Sequence, residues 1–466
     1  MPDRGSPTSP QGSSSPGGPG DSPLTNWAGN IGFAPERFEP VASLEAAREV
    51  VAAASRLRVL GSGHSFNAIA DSPGVLLSLS GIEPEVVIDA ERREVRASGW
   101  ITYAALGRAV HEAGFALHNF ASLPHISVAG SIATGTHGSG DRSGNLATAV
   151  AALEFIDADG EIRTVRRGEP DFAGSVVHLG ALGVVTAVTL DLLPAFEMRQ
   201  YAYDGLGFDA AVAHFDELTS AAYSTSMFTG WGADPSFQFW TKQRAADQTQ
   251  PFPPTQWFGA PLADGPRHPI PGVDPAACTE QQGRTGPAHE RLPHFRPEFT
   301  PSAGEELQSE YLVDRADAPA ALEALRAVSE RLAPVVQISE VRTMAADDLW
   351  LSPAYGRDTV GFHFTWVRDY ESVQPVMGVV EEALASFTPR PHWGKLFTIP
   401  IAEIRSQYPR MGDFEKLRDR VDPEEKFTND FCAELLGGSA RLHSAVPGGS
   451  GRSRIRVRLF AHSAEP

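Results

Sequence analysis

A chain of 466 residues with 42% hydrophobic and 9% aromatic residues is too long for one compact core and can bury a sizeable interior, so two or more domains are expected. Its formal net charge of −19 argues against nucleic acid or an anionic membrane surface, both of which need a basic footprint, and suits a small neutral substrate. Two cysteines, Cys278 and Cys432, lie far apart and outside any CxxC or Cys/His spacing, which points to neither a disulfide framework nor a zinc site and fits a reducing interior.

The N-terminal "MPDRGSPTSPQGSSSPGGPGDSP" is Pro/Gly/Ser-rich, cannot bury enough surface to order itself, and lacks the apolar segment of a signal peptide; a cytoplasmic location is expected. Structure is expected from about Asn26. "SLEAAREVVAAASRLRVLGSG" predicts a helix with Ser43 as N-cap and Glu45 in its first turn, then a short strand that delivers a glycine loop. In that loop, "VLGSGHSFN", Gly61 and Gly63 can adopt positive φ and let backbone N–H groups converge on an anion, with His64 beside whatever the loop holds. Taken alone, so short a loop reads first as a strand-to-turn connection whose histidine caps a carbonyl.

"PEVVIDAERREVRAS" predicts two strands around a turn, and "TYAALGRAVHEAGFAL" an amphipathic helix ended by Gly114. "NFASLPHISVAGSIATGTHGSG", residues 119–140, packs glycines and small hydroxyl residues into a segment of little periodicity. Small residues at that density let the backbone approach a ligand along an extended path, or form a buried packing seam. "ALEFIDADGEIRTV" predicts a hairpin turning at Asp159-Gly160, and "LGALGVVTAVTLDLLP" an apolar strand ending at Pro194, so the first part of the chain reads as mixed α+β. Residues 243–304, rich in proline, predict long loops around a second unit. Helices follow at "DAPAALEALRAVSERLA", "QPVMGVVEEALASF" and near "KFTNDFCAELLGG", with strands at "PVVQISEVRTM" and "RDTVGFHFTWVRD"; residues 437–466 read as a tail.

Period-2 geometry in "VVQISEVRT" puts Val336, Ile338, Glu340 and Arg342 on one face. A charged pair continuing an apolar face is either a salt bridge at a strand end or part of a site. In "TVGFHFTWV", Phe362, Phe364 and Trp366 share one face, His363 and Thr365 the other. The two strands together suit a polyhydroxylated ligand, since a carboxylate and a guanidinium can between them bond several hydroxyls. "HWGK" adds His392 and Lys395. The chain has no Walker loop, no GxGxxG opening a helix and no GxSxG elbow, so its chemistry is expected to come from a bound cofactor.

"VLGSGHSFN" with "NFASLPHISVAGSIATGTHGSG" resembles the bipartite FAD-binding signature of the vanillyl-alcohol-oxidase-type flavoproteins. "QSEYLV", "SEVRT", "WLSPAYGRDTV", "HFTWV", "RPHWGK" and "KFTN" are similar to the alditol oxidase branch, from about Asn26 to Leu436. The resemblance implies an α+β fold: a two-part FAD-binding domain of this type (26–195), an α+β cap domain for substrate (196–394), a C-terminal return to the FAD domain (395–436), and tails at 1–25 and 437–466. It implies FAD bonded through its 8α carbon to His64 alone, lined by Val59, Leu60, Gly61, Ser62, Gly63, Ser65, Ser122, Ser127, Gly130, Thr134, Gly135, Thr136, His137 and His392, with Val185 near the adenine. On the substrate side it implies Ser122, Glu340, Arg342, Thr365 and Lys395, with His363 as a candidate base. The implied reaction is oxidation of the C1 hydroxyl of an alditol such as xylitol or sorbitol, with O2 reduced to H2O2. A sugar-1,4-lactone is the alternative substrate. A monomer without nucleic-acid or membrane partners is expected, and the small Ala121 beside Ser122 would leave O2 room at the ring.

Overall fold

The computed structural model describes residues 24–233, 235–247, 253–299 and 305–437; the N-terminal Pro/Gly/Ser-rich segment up to residue 23 and the expected tail beyond Gly437 lie outside them. Ser43 caps the helix Leu44–Ala53, its hydroxyl accepting from Ala46 N at 3.1 Å, and Ala47 and Val51 face inward. The next strand, Leu57–Val59, pairs in parallel with Val75–Ser78, which pairs in parallel with Arg37–Pro40. A five-stranded antiparallel sheet lies beyond it, in the order Val86–Asp89, Glu94–Ser98, Val184–Asp191, Val150–Ile156, Ile162–Arg166. Its hairpin turns where expected, with Gly160 at φ +84°. Thr102 caps the helix Tyr103–Glu112, and Gly114, at φ +86°, ends that turn of chain.

The rest is built on one eight-stranded sheet with the order Gly286–Pro287, Glu197–Gly207, Ser236–Arg244, Ser224–Thr229, Val336–Met344, Thr359–Val367, Glu306–Asp314, Arg390–Pro391. Phe362, Phe364 and Trp366 are buried in one apolar cluster with Val373, Met377 and Val380 of the helix Tyr370–Leu384 and Leu322 and Leu325 of Ala318–Ala327. That side of the sheet is covered, which leaves the face bearing Glu340, Arg342, His363 and Thr365 for the site. The architecture is α+β, as expected.

Several elements differ from the sequence reading. The segment 119–140 is not extended throughout: Val128–Ala133 is a short helix. The helix expected from Gln374 starts at Tyr370, because Asp369 accepts from Ser372 N and so starts the helix ahead of Pro375. The helix over 317–333 divides at Val328. Two helices, Ile401–Ser406 and Met411–Val421, fill a stretch for which no element was expected. The chain then runs beside the first strands: Leu57 N donates to Lys426 O at 2.8 Å, and Asn429 Nδ2 donates to the carbonyls of Ala68 and Asp71 at 2.9 and 2.7 Å.

Candidate functional site

One cavity runs between the glycine loop of the first part and the open face of the large sheet, and both sides line it. On the loop side the backbone turns through Gly61 and Gly63. A Cβ on Gly61 would come within 2.6 Å of Ser127 Oγ, which would have to turn away, and Gly63 sits at φ +65°, where glycine is favoured. Ser62 Oγ accepts from Ser127 N at 3.2 Å, which ties this loop to the second glycine-rich segment. Trp27 N donates to Gly63 O at 2.8 Å, and Asn26 Nδ2 to Ser65 O at 2.8 Å, so the start of the described chain closes over the loop. His64 lies against the Trp27 and His125 rings, at centroid separations of 4.3 and 5.0 Å. Both of its ring nitrogens are buried without a hydrogen-bond partner, as is Ser127 Oγ. Burial, with smaller contributions from His125 and Lys395, pushes the His64 imidazole down to about 3, so it is neutral at ordinary pH.

The sheet side is ionic. Glu310 Oε1 is 3.0 Å from His137 Nε2 and 3.1 Å from Arg342 Nη2, and Lys395 Nζ donates to Glu310 Oε2 at 2.7 Å. Arg342 Nε lies 3.4 Å from Glu340 Oε2, and its Nη1 donates to Ser122 Oγ at 3.2 Å, joining the sheet to the second glycine-rich segment. Glu340 Oε1 lies 2.7 Å from His294 Nε2. Burial alone would raise the Glu310 carboxyl; Lys395, His137 and Arg342 outweigh it and hold it well below the usual carboxylate range. Glu340 is likewise held low, against burial, by Arg342 and His294. Burial lowers Lys395, with Glu310 opposing. Burial, then Lys395, holds His363 neutral, and its Nε2 faces Gln308 Oε1 at 3.1 Å. Burial and Lys395 also bring His392 down to about 3; its Nδ1 accepts from Gly394 N and its Nε2 lies 3.5 Å from Thr136 Oγ1.

The cavity brings together Val59, Gly61, Ser62, Gly63, His64, Ser65, Ser122, Ser127, Gly130, Thr134, Thr136, His137, Glu340, Arg342, His363, Thr365, His392 and Lys395. It does not bring Leu60, Gly135 or Val185 to its wall: Leu60 N is used in pairing to Leu77 O, Gly135 turns at φ +65° against Pro353, and the Val185 carbonyl packs against Gly99. Sequence reasoning missed Glu310, the hub of the charge cluster, along with Gln308 and Glu306. The signal was there: in "ELQSEYLVD" the same period-2 rule puts Glu306, Gln308 and Glu310 on one strand face opposite Leu307, Ser309 and Tyr311. His294 and His268, which also line the cavity, come from a loop region without periodicity and gave no such signal.

A dinucleotide-sized cofactor fits what these residues offer. A cradle in which a Cβ has no room, an unpartnered buried serine hydroxyl and a neutral, unpartnered histidine are features of a loop shaped around a bound group. Among the described residues no group of His, Cys, Asp and Glu could hold a metal ion, and no helix is long and apolar enough to cross a membrane.

The comparisons agree with this division of the site. A family profile described as an FAD binding domain matches residues 36–166, and one described as D-arabinono-1,4-lactone oxidase matches residues 305–435. The chain is 50% identical over 422 residues to an alditol oxidase from a Streptomyces species, covering 89% of this chain and 99% of the relative. It is 30% identical over 428 residues to an L-gulono-1,4-lactone dehydrogenase from Mycobacterium tuberculosis, again covering 89% and 99%. Among solved structures, a cholesterol oxidase from B. sterolicum superposes with a TM-score of 0.73 at 14% identity, over 89% of this chain and 96% of that one, a likeness of fold alone. With the FAD-binding profile and the full-length relatives pointing the same way, the chain belongs to the vanillyl-alcohol-oxidase-type FAD flavoproteins, on the branch that holds the alditol oxidases and the sugar-lactone oxidases.

Proposed function

We propose that the protein oxidises the C1 primary hydroxyl of an alditol such as xylitol or sorbitol to the aldose, with O2 as the electron acceptor and H2O2 as the second product. The observation that carries this reading is the buried Glu340–Arg342–Glu310–Lys395 cluster facing the FAD loops across a single cavity. When bound, the flavin supplies the hydride acceptor and passes the electrons to O2. The protein's residues do the rest. Arg342 and Lys395 are the two cations able to stabilise alkoxide character at the reacting oxygen, and both are pre-organised by Glu310 rather than by solvent. Glu340, kept ionised, accepts from a neighbouring hydroxyl, and Thr365 and Ser122 offer hydroxyl contacts along the open chain. His363 donates from Nε2 to Gln308 and so keeps its other nitrogen to accept the hydroxyl proton.

His64 is the attachment point for the flavin in this reading. Its unpartnered, neutral imidazole is the state in which a ring nitrogen can act as nucleophile. The two cysteines support a single attachment: Cys278 lies in the 253–299 loop region and Cys432 in the last helix, and neither lines the cavity. A monomer working in the cytoplasm, with the FAD-binding, cap and return segments divided at residues 195 and 394, completes the proposal.

The second reading is oxidation of a sugar-1,4-lactone, favoured by the profile over residues 305–435 and by the 30% identical relative. The 50% identical alditol oxidase favours the open-chain polyol. Peroxide release measured with xylitol, sorbitol and L-gulono-1,4-lactone as substrates separates the two: a higher kcat/KM for a polyol supports the proposal, and a higher value for the lactone overturns it.

A further inference from the structure

Two places along the sheet from the strand that carries Glu340, the chain buries a further cation that the proposed chemistry does not use. Lys242, on the strand Ser236–Arg244, is 1% exposed. Its Nζ lies 2.5 Å from Leu292 O, 2.9 Å from Pro293 O and 3.0 Å from His294 Nδ1, three acceptors for the three hydrogens of an ammonium group. His294 is held on every side. Its N and the N of Phe295 both donate to Ser122 O, its carbonyl accepts from Thr279 N, and the Phe228 and Trp240 rings meet its ring edge to face at 5.5 Å. Its Nε2 is 2.7 Å from Glu340 Oε1 and 3.5 Å from Ser226 Oγ.

This geometry settles the tautomer. Glu340, kept ionised, has no hydrogen to give, so Nε2 must donate; Nδ1 is then an acceptor, and together with the two carbonyls it calls for all three hydrogens of the Lys242 ammonium, a form these acceptors favour although burial brings Lys242 down to about 7. We infer that Lys242 is a positioning residue for the oxidation: it locks His294 as the neutral Nε2–H tautomer, which fixes Glu340 through Oε1 and leaves Oε2, beside Arg342 Nε, with lone-pair capacity for a substrate hydroxyl. The inference rests on the polyol reading of the site. It assigns a purpose to a buried lysine that would otherwise only cost desolvation energy.

The groups facing His294 are Lys242 and Trp240 on Ser236–Arg244, Ser226 and Phe228 on Ser224–Thr229, and Glu340 and Arg342 on Val336–Met344; His363 lies opposite Glu340 on the next strand. Burial, then the Lys242 charge, lowers His294 to about 4. Removing that charge raises it. A protonated His294 would draw Glu340 into an ion pair and away from the hydroxyl, so the acidic limb of substrate oxidation moves to higher pH.

The test uses the flavin-loaded full chain. With isotope-labelled histidine, the ring-nitrogen resonances of His294, assigned by their loss in His294→Gln, are expected to show an unprotonated Nδ1 and a protonated Nε2; a protonated Nδ1 overturns the inference whatever the substrate. Anaerobic flavin reduction by xylitol in Lys242→Met is expected to slow by about 10- to 100-fold, the scale of one hydrogen bond to a charged group, with its acidic limb shifted to higher pH. His294→Gln can still accept from Lys242 and donate to Glu340, so it is expected to recover most of the rate lost in His294→Leu. Native rates and pH profile in Lys242→Met, or equal rates in the Gln and Leu variants, overturn the inference. Should Lys242→Met not fold, the Gln and Leu pair decides alone. A native protein that xylitol and sorbitol do not reduce is a failure of the polyol reading instead, and leaves the tautomer result standing by itself.

Discussion

The two walls of the cavity are made in opposite ways. The wall from Val59–Phe66 and residues 119–137 is backbone, glycine and small hydroxyl side chains, with His64 neutral and unpartnered and one short helix at its centre. The wall from the large sheet is side chains: two carboxylates and two cations held close together, Glu310, Glu340 and Arg342 on strands whose other face is closed by helices and Lys395 in the turn that follows Arg390–Pro391. The first wall suits a large ligand held by shape and backbone contact, so no single side chain there is expected to be indispensable to folding. The second suits a small ligand whose charge changes during reaction, so its groups are coupled and each removal leaves a partner buried and unpaired.

The largest expected effect is at the hub of the ionic wall. Glu310→Gln leaves Arg342 and Lys395 without the carboxylate they share; thermal or urea unfolding is expected to show a loss of about 3 kcal/mol or more, with substrate reduction of the flavin abolished. Unchanged stability would mean the cluster is not coupled through Glu310. Next come Arg342→Met and Lys395→Met, each expected to slow flavin reduction by xylitol by about 10²- to 10³-fold, the cost of one preorganised donor, while the protein still binds FAD. On the other wall, His64→Ala is expected to leave the fold and FAD binding intact but to let denaturant release the flavin, read as protein-bound flavin fluorescence on a denaturing gel. A band that persists would place the attachment elsewhere. The smallest effect is expected from Ala121→Leu, which narrows the cavity beside Ser122. Stopped-flow traces should show slower reoxidation by O2 with reduction little changed.

Acid acts on the site in two stages. His64 and His392, lowered to about 3, bind fewer protons folded than unfolded, so stability falls as pH drops below their ordinary value of 6.5. Glu310 and Glu340, also held low, contribute stability that is present above their ordinary 4.5 and lost as pH falls towards their folded values. Urea unfolding as a function of pH should therefore weaken in two stages, and Glu310→Gln should remove part of the second alone.

Legibility followed the same division. The glycine loop could be read because Gly61 and Gly63 stand where an apolar strand ends, and the sheet face because "FHFTW" alternates strictly and "VVQISEVRT" continues an apolar face with a charged pair. Glu310 escaped because the alternation in "ELQSEYLVD" was not followed across the strand, although the rule was the same. His294 could not be read: it reaches Glu340 from a proline-rich loop whose course is fixed by contacts to Lys242, Ser122 and Thr279, all distant in sequence. The helix Met411–Val421 was hidden by charge, since "MGDFEKLRDRV" offers only Met411, Phe414 and Leu417 as buried apolar anchors. Local pattern identifies a strand face; it does not say which loop comes to lie against it.

In the proposed function the ionic wall presents a polyol hydroxyl to the flavin held by the glycine wall. Mixing the purified yellow protein with xylitol in the absence of air tests it most directly. The visible flavin band is expected to bleach and, once air is admitted, to return with release of H2O2. A band unchanged by xylitol and sorbitol but bleached by L-gulono-1,4-lactone would contradict it.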